Sequence, residues 1–275
     1  VSTATAEHGR PSPGGRAARE PTTPADPWIR RFQPTPEAPV RLVCLPHAGG
    51  SAASYAPLAR ALAPVADVLA IQYPGRQDRR AEPGITRLTD LADLVADALA
   101  PWADRPFVVF GHSMGALLGY EVTVRLEAAG IAPRALVASG RRAPSRHRAE
   151  SVHLRNEEGV VAELRRLGGV DPAFLDDPEL RAMILPAVRG DYEAIETYRH
   201  TPRPPLRTPV TVLTGDNDPQ VTAEEAAAWA EHTTHAFALR TFKGGHFYLN
   251  EHLPEVQAVL RGLLSEGEVS RRPGP

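Results

Sequence analysis

Short blocks of consecutive apolar residues alternate along the chain with longer stretches in which apolar residues recur every three or four positions. The blocks Val40 to Leu45, Val65 to Tyr73, Phe107 to Phe110, Ala135 to Ala138, Val210 to Thr214 and Ala236 to Phe242 are short and rich in β-branched residues, which predicts buried strands. Leu88 to Leu99 and Leu253 to Leu264 predict amphipathic helices, Tyr55 to Ala63 a further helix, and Ala116 to Ala129 a run of good helix formers that Gly130 is placed to end. Strand and helix in regular alternation predict an α/β domain, a mostly parallel sheet with helices on both faces.

The alternation breaks between Arg141 and Arg199, where charged, helical stretches replace strands. Val160, Val161, Leu164 and Leu167 make one apolar stripe, and Leu180, Met183, Ile184, Ala187 and Val188 make another. Residues 142–200 are therefore expected to be a helical insertion belonging to the same domain. Residues 1–27 have no hydrophobic periodicity and are expected to be a disordered leader. Trp28 to Phe32 supply the first anchoring aromatics, so the domain is set at 28–265, with a frayed tail at 266–275.

With 42% hydrophobic residues in 275, the chain can bury a large core, and 31 basic against 33 acidic residues give no global reason to expect nucleic acid or an anionic membrane surface. The lone cysteine, Cys44, lies in a strand block and predicts a buried residue of a reducing compartment. No run approaches the length of a membrane span, and no signal-peptide core is present, so a cytoplasmic protein is expected.

Candidate chemistry centres on the stretch Val108 to Glu121, VVFGHSMGALLGYE. Ser113 falls where a predicted strand turns into a predicted helix, and Gly111 and Gly115 allow the tight approach such a turn demands. This is the pattern of a nucleophile elbow, which lifts the hydroxyl above the sheet beside the free N–H groups of a helix N-terminus. In a serine hydrolase of this design one oxyanion donor is the N–H of the next residue, Met114. The other comes from a loop after an early strand, here PHAGGSAASY, in which Ala48 is the candidate.

Serine needs an imidazole to remove its proton and a carboxylate to orient that imidazole. His246 follows the last strand and the flexible Gly244 and Gly245, and is preferred as the base. In the loop GDND, Asp218 is preferred over Asp216 as the acid. His112 is expected to face away from the hydroxyl, His47 to shape the oxyanion loop, and His232 and His235 to lack the partners of a metal site. Arg76, Arg79 and Arg80 lie in a polar loop expected to be solvated, although they could meet an acidic ligand.

The elbow GHSMGALLGYE, the loop LPHAGGSAASY, the run YPGRQDRRAEP, the strand exit ASGRRAP, and GDNDPQVT with GGHFYLN together resemble the type II thioesterases that accompany polyketide and nonribosomal peptide synthetases, over residues 28–264. The resemblance implies an α/β-hydrolase fold with the insertion as a lid. It also implies hydrolysis of acyl groups from the phosphopantetheine arm of acyl or peptidyl carrier proteins, to edit or unblock a synthetase. Carried over by position, it implies Ser113, Asp218 and His246 as the triad and the N–H groups of Ala48 and Met114 as the oxyanion hole. It implies no metal or redox cofactor, and a monomer is expected. Arg141, Arg142, Arg146 and Arg148 are candidates to meet the arm's phosphate or an acidic carrier surface, against a solvated basic stretch. The competing readings are a small-molecule carboxylesterase of the same fold and a noncatalytic ligand-binding relative.

Overall fold

The computed structural model describes residues 26–265. Of the leader expected over 1–27, all but Asp26 and Pro27 lie outside the described residues, as does the whole of the tail at 266–275. Seven strands form one sheet: β1 (Ile29–Arg30), β2 (Arg41–Leu45), β3 (Asp67–Ile71), β4 (Phe107–His112), β5 (Ala135–Ser139), β6 (Val210–Gly215) and β7 (Phe237–Phe242), in the order β1-β3-β2-β4-β5-β6-β7. All neighbouring pairs are parallel except β1 with β3. The six strands read from the sequence are present with shifted ends: β2, β3 and β7 are shorter than read, and β4, β5 and β6 run one or two residues further. β1 was not anticipated, because two residues carry no periodicity and their pairing is set by β3.

The strands of the sheet centre are buried on both faces, and their alternate side chains feed two separate cores. Val43, Leu69, Val109 and Leu136 pack with α2 (Leu88–Leu99) and α3 (Met114–Ala128) on one face. Leu42, Val68, Val108 and Val137 pack with α1 (Ala56–Leu62) and α8 (Leu253–Ser265) on the other. Cys44 is fully buried in this second core, as expected. Each fully buried leucine here contributes about 1.5–3 kcal/mol of transfer free energy.

Between β5 and β6 the chain forms α4 (Glu157–Leu167), α5 (Pro172–Asp176) and α6 (Pro178–Thr197) and no named strand, matching the expected helical insertion. The side chains of Asn156, Asp171 and Asp177 cap these helices, each accepting a backbone N–H of the first turn. Leu185, Val188 and Ile195 of α6 and Val160, Val161 and Leu164 of α4 join the α2–α3 core, so the insertion is packed onto the domain. A last short helix, α7 (Ala223–Ala227), starts from a capping box between Thr222 and Glu225. Among the described residues, no helix is long and apolar enough to cross a membrane.

Candidate active site

Four of the parallel strands end at one edge, and the loops leaving them carry the groups singled out above: Ala48 after β2, Ser113 after β4, Asp218 after β6 and His246 after β7. β4 stands at the sheet centre, where the strand order changes direction, which is where ligands bind in open parallel sheets.

Ser113 has φ 55° and ψ −117°, a backbone conformation that L-residues rarely adopt. Its neighbours make that turn feasible. A Cβ on Gly111 would lie 2.0 Å from the carbonyl oxygen of Gly115, and one on Gly115 would lie 2.0 Å from that of Leu45. Only glycine at both positions lets α3 start this close to β4 and β2. Met114 is the first residue of α3, so its N–H is one of the donors the helix leaves free, beside the positive end of the dipole. Ala48 lines the same cavity as Ser113 and Met114.

The Oγ of Ser113 lies 2.9 Å from Nε2 of His246. The other ring nitrogen, Nδ1, lies 3.0 and 2.9 Å from the two oxygens of Asp218. With the Nδ1 proton donated to the carboxylate, Nε2 is left as an acceptor for the serine hydroxyl. His246 and Asp218 are 2% and 7% exposed, so the carboxylate acts on the ring in a weakly screened setting. Asp216 does not meet His246. It faces solvent, pairs with Lys243 at 2.7 Å, accepts the N–H of Gly244 at 3.0 Å, and is held below the usual carboxylate range chiefly by that lysine.

Two hydroxyls behind the histidine, those of Ser139 and Tyr248, carry no local signal in the sequence. His112 does turn from the Ser113 hydroxyl: its Nδ1 meets Ser139 Oγ at 2.9 Å, and Ser139 Oγ meets the Tyr248 hydroxyl at 2.6 Å. The His112 ring also backs His246, with centroids 5.0 Å apart. Burial, then the nearby His246 and His47, push its pKa well down, so it stands neutral there. Register places Ser139 opposite His112, a relation that neither local stretch reveals. His47 packs edge-on against Phe247 and has its pKa lowered to about 4 by burial, then by His246 and Arg76. His232, set aside as a metal ligand, meets Ser145 Oγ at 2.9 Å.

The arginines need correction. Arg76 and Arg79 are buried and engaged within the protein, Arg76 with Asp191 and Arg79 with Glu82, with Arg79 also stacked over Trp28 at 4.3 Å. Of the three arginines of that loop, only Arg80 is exposed. The stretch after β5 is a solvated basic run only in part: Arg141 and Arg142 are buried, whereas Arg146 is exposed and Arg148 half-buried. Arg142 pairs with Glu150, Arg146 with Glu231 and Arg148 with Glu225. These three are thereby taken up by internal carboxylates.

In front of Ser113 and His246 opens a cavity of about 320 Å³, bounded by Tyr192 and Ile195 of α6 and by Glu163 and Leu167 of α4. The insertion therefore roofs the serine. A hydroxyl set against an oriented imidazole, beside a helix N-terminus and under a roof that limits water, is equipped for acyl transfer.

Residues 40–263 match the model of the thioesterase domain family. The chain is 53% identical over 237 residues to the probable cadicidin biosynthesis thioesterase of Streptomyces griseus, spanning 86% of this chain and 66% of that protein, slightly under two thirds of its length. It is 48% identical to thioesterase PikA5 of Streptomyces venezuelae, spanning 83% of this chain and 82% of that one. The solved structure of the type II thioesterase BorB from the borrelidin biosynthetic cluster superposes with a TM-score of 0.83 at 52% identity, covering 88% of this chain and 99% of that one. With the α/β sheet, its strand-to-helix serine and its helical insertion already in place, this chain belongs to the thioesterase domain family, in the company of the type II thioesterases.

Proposed function

We propose that the protein hydrolyses acyl thioesters borne on the phosphopantetheine arm of acyl or peptidyl carrier proteins, and so edits or unblocks a polyketide or nonribosomal peptide synthetase. The observation that carries this reading is the hydrogen-bonded line from Asp218 through both nitrogens of His246 to Ser113 Oγ, at 2.9 Å on the serine side. The work of the relatives supplies the substrate class.

In the first half-reaction Ser113 Oγ attacks the thioester carbonyl carbon while its proton passes to Nε2 of His246. The carbonyl oxygen becomes an oxyanion facing the N–H groups of Met114 and Ala48. Collapse breaks the carbon–sulfur bond, His246 returns the proton to the departing sulfur, and the thiol of the arm leaves an ester on Ser113. Water then attacks that ester, giving its proton to His246. The carbon–oxygen bond to Ser113 breaks as His246 returns that proton to Ser113 Oγ, which releases the free acid and restores the serine hydroxyl and the neutral imidazole. Asp218 keeps its charge throughout and stabilises the imidazolium of each step. None of these steps calls on a metal or redox cofactor, and a cytoplasmic setting fits the arm-bearing partners.

The test is intact-mass analysis of a panel of acyl-loaded carrier proteins run beside simple oxygen esters. Loss of the acyl mass from the carriers, faster than hydrolysis of the esters, is expected. Rapid ester cleavage with untouched carriers would instead make the protein a carboxylesterase.

A further inference from the structure

Arg141 is the one member of the basic stretch after β5 that no carboxylate takes up. It is 7% exposed, it lines the cavity in front of Ser113, and its guanidinium has no hydrogen bond or ion pair with any of the described residues. The nearest acids are occupied elsewhere. Glu150 is held by Arg142, and Glu196 accepts the N–H groups of Val152 and His153 at 2.8 and 3.0 Å and also meets the His153 ring. Burial and the adjacent Arg142 push the Arg141 pKa down to about 9, so the group is still a cation at neutral pH.

A cation left this way is expensive for a fold, because its desolvation is not offset by a partner. The backbone explains its position but not its charge: the Arg141 carbonyl accepts the Trp229 indole N–H at 2.8 Å, which any residue there would do. Position also limits what could pair with it. Ser139 lies opposite His112 in the sheet and its carbonyl accepts the N–H of Ser113 at 2.8 Å, so Arg141 leaves β5 immediately beside the serine. Arg141 lines the same cavity as Ser113, whereas the phosphate of a carrier arm lies at the far end of the pantetheine from the thioester. An acceptor oxygen a few bonds from the thioester suits that position.

We propose that Arg141 binds the acyl group of the substrate through an acceptor oxygen near the thioester, so that the cavity selects acyl chains bearing a 3-oxo, 3-hydroxy or carboxylate oxygen over plain alkanoyl chains. This rests on the thioesterase reading. The guanidinium offers several N–H donors in one plane, and a charge-assisted bond in a buried setting is strong enough to set preference among acyl groups. Arg155 and Arg166 also line this cavity, but both pair with Glu163, so among the described residues Arg141 is the arginine of the lining without a carboxylate partner.

The test uses N-acetylcysteamine thioesters of butanoyl, 3-hydroxybutanoyl, 3-oxobutanoyl and malonyl groups, which hold the arm's nearest amide constant while the acyl oxygen changes. The parent is expected to show higher kcat/KM for at least one oxygenated chain than for butanoyl, and Arg141→Met to shrink that ratio about tenfold or more, with Arg141→Lys between them. The thermal midpoint of Arg141→Met should hold or rise, because an unpaired buried charge is removed. Equal loss on all four thioesters would assign Arg141 to the arm's amide, and a drop in the midpoint of several degrees would make it structural; either overturns the proposal. A parent that prefers butanoyl overturns it while leaving the thioesterase reading intact, whereas a parent inert to all four thioesters and to the same acyl groups loaded on carrier proteins defeats that reading itself.

Discussion

Arg76 holds Asp191 through two hydrogen bonds, Nη1 to Oδ2 at 2.6 Å and Nη2 to Oδ1 at 2.7 Å, and both residues are buried. The same carboxylate accepts the N–H of Gly49 at 2.7 Å, and Arg76 also donates to the Gly50 carbonyl at 3.1 Å. One ion pair thus joins α6 of the insertion, the loop after β3 and the loop that carries Ala48. Asp191→Ala leaves a buried guanidinium alone and is expected to cost about 3–5 kcal/mol. It also frees the backbone next to Ala48, so kcat on an acyl thioester should fall. Asp191→Asn, which keeps an acceptor for Gly49, should retain more of both. Urea unfolding with steady-state kinetics measures the pair, and an Asp191→Ala protein as stable and active as the parent would remove the clamp from the account.

Asp218 and Asp216 share a loop but not an environment, and their amides should separate them. Asp218→Asn removes the acceptor that fixes the His246 tautomer, and kcat is expected to fall by about 10⁴. Asp216→Asn loses only an exposed, solvent-screened pair with Lys243 and should change kcat little. Equal effects from the two, measured as single-turnover acylation, would contradict the geometry.

Stability should decline as the solution is acidified from pH 7 to pH 5. His112 and His232 are buried, the first with its pKa well below 6.5 and the second lowered to about 4, mainly by burial in both cases. Their folded-state pKa values lie below the unfolded one, so the unfolded chain takes up protons first and the folded state loses ground as pH falls below about 6.5. The slope is about 1.4 kcal/mol per pH unit for each histidine. Asp216, Glu163 and Glu225, also depressed, add the same sign only at lower pH, near the ordinary carboxylate range. Unfolding free energies at intervals between pH 7 and pH 5 should show the decline, and His232→Gln should flatten it; a flat parent profile would mean these rings do not titrate as placed.

What the chain reveals before folding follows the range of the interactions involved. The strand at Phe107–His112, the helix behind it and the glycines at 111 and 115 are local, since periodicity and a steric demand for glycine both act within a few residues. The separate loops of Asp218 and His246 were legible because a parallel sheet sends every strand end to one edge. The errors were in pairing. Arg76 was read as a solvated charge because Asp191 lies more than a hundred residues away, on another element. The contact of Ser139 with His112 and Tyr248 depends on register and on the turn after β7. Arg141 was read as one of four alike, and only the positions of Glu150, Glu225 and Glu231 separate it from its neighbours.

On the proposed function, Ser113 Oγ accepts the acyl group, with His246 as its base. Peptide mapping by mass spectrometry after reaction with a serine-directed fluorophosphonate tests it directly. The account predicts one adduct, on the peptide containing Ser113, absent from Ser113→Ala and greatly slowed in His246→Ala, with thioester hydrolysis lost in parallel. An adduct on another serine, or thioester hydrolysis that survives in Ser113→Ala, would contradict it.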